Sequence, residues 1–138
     1  MRTTYFCVAA ASAALFLASI PVFAHHSFAA EFDVKQPVTL RGTVTKVEWT
    51  NPHVWIYIDV ANENGAVEHW QCENGAPNTL ARMGWTRNSL KAGDQVTVEG
   101  FRAKNDDKTA NARQILLPDG RKVFSGSAED GGPGKTKE

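Results

Sequence analysis

Four histidines offer the clearest chemistry in this sequence: His25, His26, His53 and His69. His25 is the most distinctive of them, because the preceding residues 1–24 have the pattern of a cleaved export signal. A histidine at a free N-terminus can bind a metal ion through its α-amino group and its imidazole Nδ1, which together close a six-membered chelate ring. A further imidazole gives three nitrogens in one plane, and tetragonal nitrogen sites favour Cu(II) over Zn(II). The sequence therefore predicts a copper site at the mature N-terminus.

The third nitrogen of this predicted copper site has two candidate sources. His53 is favoured because it opens a predicted strand beside the Asn51-Pro52 turn, and His26 is the alternative. Copper binding is expected to weaken below neutral pH, because an α-amino group titrates at about 7.7–8.0 in model peptides and must lose its proton to bind metal. A purely structural interpretation is also open. In it, His25 and His26 form a solvated leader that only suits export, and His53 caps the end of a strand.

The N-terminal segment also predicts where the protein works. Arg2 supplies a positive charge, residues 5–20 form an apolar run, and cleavage is expected after Ala24. The apolar run is shorter than the roughly 20 residues that span a bilayer, and no lipid-attachment cysteine lies at the cleavage site. We expect a periplasmic protein with no membrane anchor once the signal peptide is removed.

Charge and cysteine content narrow the expected partners. The 15 basic and 15 acidic side chains balance and form no basic block, so we expect no binding to nucleic acid or to membrane surfaces. Cys72 is the one cysteine left after signal cleavage, and a lone thiol outside the cytoplasm is expected to be buried. The expected partner is therefore a metal ion, a small ligand or another exported protein.

The sequence contains no motif of a common enzyme class. It has no Gly-x-Ser-x-Gly motif, no phosphate-binding glycine loop and no close pair of buried carboxylates. The glutamates of the predicted strands, which are Glu48, Glu68, Glu73 and Glu99, are expected to be solvated or salt-bridged. We expect a protein without catalytic activity, with a copper-dependent redox enzyme as the alternative.

Alternating apolar residues and turn signals predict an all-β domain over residues 25–124, with one short helix. The expected strands cover residues 38–49, 53–61, 66–73, 95–102 and 111–117, and a last small hairpin follows at Asp119-Gly120. The helix begins at Pro77, between the third and fourth strands. This is the element order of the OB-fold, a small five-stranded barrel, and a generic small sandwich is the alternative. Residues 125–138 contain no large apolar residue and are expected to form a disordered, glycine-rich tail.

The second and third strands are predicted to form a hairpin with a polar and aromatic outer face. A three-residue loop with Gly65 in a left-handed conformation sets Ile58 opposite Trp70 and Ile56 opposite Cys72. The outer face then carries the candidate ligand-binding side chains, which are Trp55, Tyr57, Asp59 and His69, together with His53, Val67 and Gln71. Asp59 is expected to orient the His69 imidazole. A shift of one residue in register would reverse every one of these face assignments.

The aromatic residues of this outer face are compatible with three roles. In an OB-fold the second and third strands commonly carry the ligand, and exposed aromatic rings stack on sugars or bases. Trp55 and Tyr57 can equally dock another exported protein. The protein would then have a structural or adaptor role, and its histidines would have no function of their own. In the third interpretation, residues 28–32 or neighbouring loops cover the two rings, since large aromatic side chains are mostly buried.

Five short motifs of the chain resemble an uncharacterised bacterial family, known as domain of unknown function family 6152. The motifs are His-His-Ser-Phe-Ala-Ala-Glu-Phe-Asp at residues 25–33, Gly-Thr-Val at 42–44, Trp-Thr-Asn-Pro-His at 49–53, Gly-Trp at 84–85 and Lys-Ala-Gly-Asp at 91–94. The resemblance extends from His25 to about residue 124. It implies a small exported protein and supplies no catalytic residues.

Overall fold

The computed structural model describes residues 28–105 and 107–126. The predicted signal peptide, His25, His26 and residues 127–138 of the predicted tail lie outside the described residues. The described elements are α1 (Phe28–Glu31), β1 (Phe32–Glu48), β2 (Trp55–Ala61), β3 (Val67–Glu73), α2 (Pro77–Arg82), β4 (Gln95–Ala103), β5 (Thr109–Leu116) and β6 (Lys122–Phe124).

Five of the strands form a closed ring. β1 pairs antiparallel with β2 and with β4, β2 pairs antiparallel with β3, and β4 pairs antiparallel with β5. The ring closes because β3 also pairs with β5, in parallel, over Gln71–Glu73. β6 lies outside the ring and pairs with β5. The predicted β-rich fold with a helix between the third and fourth strands is confirmed. The prediction of a single helix is wrong for the described chain, because the four residues of α1 form a second one.

β1 is longer than predicted and is irregular near its middle. It begins at Phe32, ahead of the predicted start at residue 38. The apolar positions of β1 change parity beyond Gly42, which predicts a bend or bulge, and a register shift between Val44 and Lys46 confirms it. A Cβ on Gly42 would lie 2.4 Å from the carbonyl oxygen of Asp59 in β2. Glycine at this position therefore permits the close approach of β1 and β2.

β2 and β3 pair in the predicted register. Ile58 lies opposite Trp70, and Ile56 lies opposite Cys72. The loop between the two strands contains Gly65 with a φ of 78°, the left-handed conformation expected for a three-residue turn. Every assignment of a β2 or β3 side chain to the inner or outer face therefore stands as predicted.

The inner face of the ring holds one hydrophobic core. Its buried members include Leu40, Val44, Val54, Ile56, Ile58, Trp70, Cys72, Leu80, Trp85, Val96, Val98, Ala110, Ala112 and Ile115. Cys72 is fully buried, as predicted for a lone thiol. Burial raises the pKa of this thiol to about 12.

The short helix α2 seals one end of the core. It begins at Pro77, as predicted, and buries Leu80. Gly84 ends it with a φ of 88°, and the backbone N–H of Trp85 donates to the Leu80 carbonyl at 3.0 Å. The Trp85 Nε1 donates to the carbonyl of Phe124 at 3.0 Å, which connects this region to β6. In the part of the chain that the structure describes, no helix is long and apolar enough to cross a membrane.

The packed domain extends slightly beyond the predicted boundary at Phe124. Ser125 and Gly126, the first residues of the predicted tail, are buried. The Ser125 backbone N–H donates to the Arg113 carbonyl at 2.9 Å, and the Ser125 carbonyl accepts from the Gly75 N–H at 2.7 Å. These backbone hydrogen bonds join Ser125 to β5 and to the segment before α2, and Gly126 is buried next to it in the chain.

Candidate ligand-binding face

Three cross-strand pairs build the outer face of the β2–β3 hairpin. Trp55 lies opposite Glu73, and Tyr57 lies opposite Gln71. The third pair is Asp59 with His69. Because neighbouring positions of a strand alternate between faces, these six side chains share the face that points away from the core. The structure thus places the four candidate ligand-binding residues and Gln71 on one face, and it adds Glu73 to them.

Asp59 and His69 form the contact that the sequence predicts. The Nδ1 of His69 lies 2.6 Å from Asp59 Oδ1. An ionised carboxylate only accepts hydrogen bonds, so the imidazole Nδ1 is the donor and the Nε2 of the neutral ring remains an acceptor. The His69 side chain is 82% exposed, so this acceptor is open to solvent.

The polar end of Tyr57 is engaged with side chains of β1. Its hydroxyl donates to Glu48 Oε2 at 2.9 Å, and the Lys46 Nζ lies 5.3 Å from the centre of its ring. Burial, and next the hydrogen bond to Glu48, raises the pKa of the Tyr57 hydroxyl. Hydrogen bonds from Lys46 and then from Tyr57 lower the pKa of Glu48. Tyr57 is therefore held in place by its neighbours and is a fixed part of the face.

Trp55 differs from the other aromatic residues of the hairpin. Its side chain is half-buried, and within the described residues it makes no hydrogen bond, ring contact or cation contact. The ring of Trp70, by contrast, lies within 5.4 Å of the Arg102 guanidinium and 5.3 Å of the Lys108 Nζ. Within the described residues, the Trp55 ring is thus an aromatic surface with no stacking ring or cation against it.

Two cavities lie on this outer face and share part of their lining. One, of about 300 Å³, is lined by Tyr57, Asp59, His69 and Gln71 among others. The other, of about 350 Å³, contains Trp55, Glu73 and again Gln71. Asp107 and Thr109 also line both cavities. We call the two cavities together the hairpin groove; its floor is the outer face of β2 and β3, and its far wall is formed by residues 104, 105 and 107–109.

The far wall of the hairpin groove is positioned by the parallel pairing of β3 with β5. Gln71 lies opposite Thr109 in this pairing, and its backbone N–H donates to the Lys108 carbonyl at 2.9 Å. The Gln71 side-chain amide donates to Thr109 Oγ1 at 2.8 Å, at the junction of the two cavities. The sequence predicts a polar loop here but carries no local signal that the loop borders the hairpin, because β3 and β5 are far apart along the chain.

Residues 30–32, part of the segment considered as a cover for Trp55 and Tyr57, line the cavity that contains Trp55. Phe28 stacks on Phe32 with ring centres 5.6 Å apart and meets the edge of Phe101 at 5.9 Å. Phe32 is buried. These phenylalanines therefore find their aromatic partners in each other and in β4. α1 contributes residues 30 and 31 to the lining of the second cavity.

His53 lies just outside the groove, paired with a buried carboxylate. The prediction that His53 opens the second strand is corrected, because β2 begins at Trp55 and His53 precedes it. Its Nδ1 contacts Glu73 Oε1, and the two side chains are 28% and 9% exposed. Glu73 is buried and salt-bridged to His53, in line with the expectation that it is solvated or salt-bridged. Glu48, Glu68 and Glu99 are salt-bridged as predicted, to Lys46, Lys108 and Lys122.

The predicted copper set can be compared with the structure only in part. His25 and His26 lie outside the described residues, and His53 is the one predicted metal ligand within them. Among residues 28–105 and 107–126, no group of three or more histidine, cysteine, aspartate or glutamate side chains is arranged to hold a metal ion. Within these residues His53 and Glu73 form one close pair of such side chains, and Asp59 and His69 form another.

Comparison with known proteins yields one match. The model of a family of unknown function, DUF6152, matches residues 12–112 of the chain. No curated protein and no solved structure matches the chain.

Proposed function

Because the chain belongs to the DUF6152 family, whose description names no activity, we propose its role from the geometry: it is a small exported binding module that holds a polar ligand in the hairpin groove. The carrying observation is that the outer side chains of β2 and β3 converge with Thr109 on two adjoining cavities. Each cavity lies near the lower end of the roughly 300–1,000 Å³ typical of small-molecule sites. Export and a periplasmic location are part of the proposal and rest on the N-terminal sequence pattern.

A third cavity, on another part of the surface, is the main competitor for a ligand. It measures about 380 Å³ and lies between β1, β4, β5 and β6. The guanidinium of Arg113 lies 5.8 Å from the ring centre of Phe101 and 5.9 Å from that of Phe124, both of which line this cleft. The cation is thus already engaged by aromatic rings of the protein itself. The hairpin groove, with several polar groups directed at one space, is the better ligand site.

The proposal includes no catalytic step. Cys72 is the one thiol among the described residues, and it is fully buried. With a pKa raised to about 12 by burial, it is protonated at neutral pH and cannot act as a nucleophile. The imidazole of His69, although oriented by Asp59, has no cysteine beside it to activate.

A fragment screen followed by NMR tests the proposed site. The ¹⁵N-labelled mature chain is mixed with a library of small polar molecules, and we expect the shifted resonances to include the Trp55 indole, the Gln71 side-chain amide and the Thr109 backbone. The same screen on Trp55→Ala should lose these hits. Gln114→Ala, at an exposed β5 position that lines the competing cleft, is the matched control and should keep them. Hits clustered around Phe101 would contradict the proposal.

The adaptor interpretation makes a different prediction for the same variants. If the outer face docks another exported protein, Trp55→Ala should abolish recovery of that protein from a periplasmic extract while small molecules leave the groove resonances unchanged. If a specific protein is recovered and no fragment shifts the groove resonances, the adaptor role replaces the ligand-binding proposal.

Capture of Cu(II) is a second candidate function, favoured by the contact between His53 and Glu73. Metal-binding histidines usually donate their second ring nitrogen to a carboxylate, which orients the ring and increases its basicity. Glu73 accepts from His53 Nδ1, so the Nε2 of the neutral ring is left for a metal ion. A copper ion held by the His25 amine and ring, with His53 Nε2, would complete the nitrogen set that the sequence predicts.

Copper titration of chains with different N-termini tests this candidate. The chain that begins at His25 should bind Cu(II) with sub-micromolar affinity, and one extra residue before His25 should abolish this affinity. His53→Gln should weaken binding, whereas His69→Gln, which changes the other carboxylate-paired histidine, should not. Equal affinity in the extended and authentic chains would refute the terminal chelate. A loss in His69→Gln alone would show that another histidine completes the set.

A further inference from the structure

We infer that the ligand of the hairpin groove is a neutral, hydroxyl-rich molecule, namely a short oligosaccharide. This inference rests on the proposed function, since it names the ligand class of the same site. It is carried by the distribution of charge, the balance of hydrogen-bond donors and acceptors, and the position of Trp55.

Charged groups of both signs line each half of the groove. The first cavity contains Asp59 and Asp107 with Lys108, and the second contains Glu31, Glu73 and Asp107 with Lys104, so carboxylates outnumber lysines in both. An anionic ligand would therefore approach carboxylates, and a cationic ligand would approach a lysine. A ligand with no net charge meets neither repulsion.

The charged groups of the groove already have partners within the protein. Asp59 contacts His69, and Asp107 accepts from the Asn105 side-chain amide at 2.6 Å. Lys108 pairs with Glu68 at 2.9 Å, and Lys104 donates to a backbone carbonyl at 2.5 Å. A ligand is thus not needed to neutralise a buried charge, and the groove has no dominant charged anchor of the kind that selects an ion.

The groove keeps unused acceptor sites, and it keeps donors on Lys104, Lys108 and Thr109. An ionised carboxylate has about four lone-pair sites and no donor, so Asp59 and Asp107 each keep acceptor sites beyond the contacts described. His69 Nε2 in the neutral ring and the Gln71 side-chain oxygen add to them. Hydroxyl groups supply O–H donors without adding charge, and a sugar presents several of them on each ring. The chemistry of the groove therefore matches a polyol better than a phosphate or a carboxylate.

Trp55 supplies the apolar contact that a sugar ring requires. Its half-buried indole lines the second cavity and has no ring or cation partner among the described residues. The C–H face of a pyranose is apolar and can lie flat on such a surface, while its hydroxyls point to polar side chains at the edges. In this arrangement Trp55 is the stacking platform, Glu73 lies opposite it, and Gln71 follows at the next outward-facing position of β3.

The length of the groove indicates more than one sugar ring. Trp55 and Asp59 are four positions apart on one strand, which corresponds to about 13 Å along β2. A ring stacked on Trp55 would leave the half of the groove at Asp59 and His69 empty. A short oligosaccharide fills both cavities, with its second ring beside Tyr57 and Gln71.

Calorimetric titration of the mature chain with a defined panel of probes tests the inference. The neutral probes are maltohexaose, cellohexaose and N-acetylchitohexaose, and the charged probes are putrescine and inorganic phosphate. We expect one of the oligosaccharides to bind with an affinity that high salt leaves unchanged, because no ion pair is involved. Trp55→Ala should weaken this binding about tenfold or more, the size typical of losing one stacking platform, while Trp55→Phe should retain most of it.

Control variants separate failure of the ligand class from failure of the site. Gln71→Ala should weaken oligosaccharide binding, Gln114→Ala should not, and the melting temperature of Trp55→Ala confirms that this variant is folded. The site of any binding is read from NMR spectra of the labelled chain. If putrescine or phosphate shifts the Trp55 and Gln71 resonances and no oligosaccharide does, the sugar inference is overturned and the proposed binding site stands. If no probe of either class reaches the groove, both ideas fail.

Discussion

Replacement of Gly42 by alanine tests the closeness of β1 and β2 on which the ligand face depends. The added Cβ would lie 2.4 Å from the Asp59 carbonyl oxygen, whereas ordinary van der Waals contact begins at 3.4 Å. The two strands would have to separate by about 1 Å, and forcing an extra methyl group into a packed site typically costs about 1–3 kcal/mol. For a domain of this size, that cost corresponds to a melting temperature lower by about 5–20 °C.

The measurement for Gly42→Ala is urea unfolding followed by tryptophan fluorescence, in which the midpoint should fall while the slope stays constant. Gly65→Asn is the matched control. Gly65 has no neighbour within 4 Å of an added Cβ, and asparagine tolerates its φ of 78°. We also expect Gly42→Ala to move the NMR signals of Asp59 and His69. If Gly42→Ala is as stable as the parent, or less destabilised than Gly65→Asn, the described contact between β1 and β2 is wrong.

Three further predictions concern the core and the borders of the groove. Burial of Cys72 raises the pKa of its thiol to about 12 and shields it from reagents, so a disulfide reagent should label it only after unfolding; rapid labelling of the native protein would contradict its burial. Hydrogen bonds from Lys108 and then Trp70 lower the pKa of Glu68, so its contribution to stability is present at neutral pH and is lost as the pH falls below about 4.5. Stability measured against pH should therefore show the parent and Glu68→Gln converging in acid, and a constant difference would refute this. Trp85→Phe removes the hydrogen bond from Nε1 to the Phe124 carbonyl and should lower the unfolding free energy by about 1–3 kcal/mol, as read from the urea midpoint; an unchanged midpoint would contradict the contact.

The hairpin and its faces are predictable from the sequence because their signals are local. Ile56 and Ile58 alternate with polar and aromatic residues, and Gly65 selects the turn that sets their register. The same alternation and register are sufficient to predict the contact between Asp59 and His69. Pro77 marks the start of α2 for an equally local reason, since its ring is suited to the first helical turn.

The parts that the sequence does not predict depend on contacts between distant segments. The far wall of the groove exists because Gln71 pairs with Thr109 in a parallel arrangement. No short-range sequence pattern predicts this pairing. The burial of Glu73 depends on His53, which precedes the other strand of the hairpin. α1 is too short to show a helical period.

The decisive experiment is a crystal structure of the mature chain with the tightest-binding neutral oligosaccharide soaked into the crystals. One sugar ring should stack on Trp55, a second ring should contact Gln71, and the far end of the ligand should lie near Asp59 and His69. A ligand found in the cleft beside Phe101 and Phe124, with the hairpin groove unchanged, would contradict this prediction.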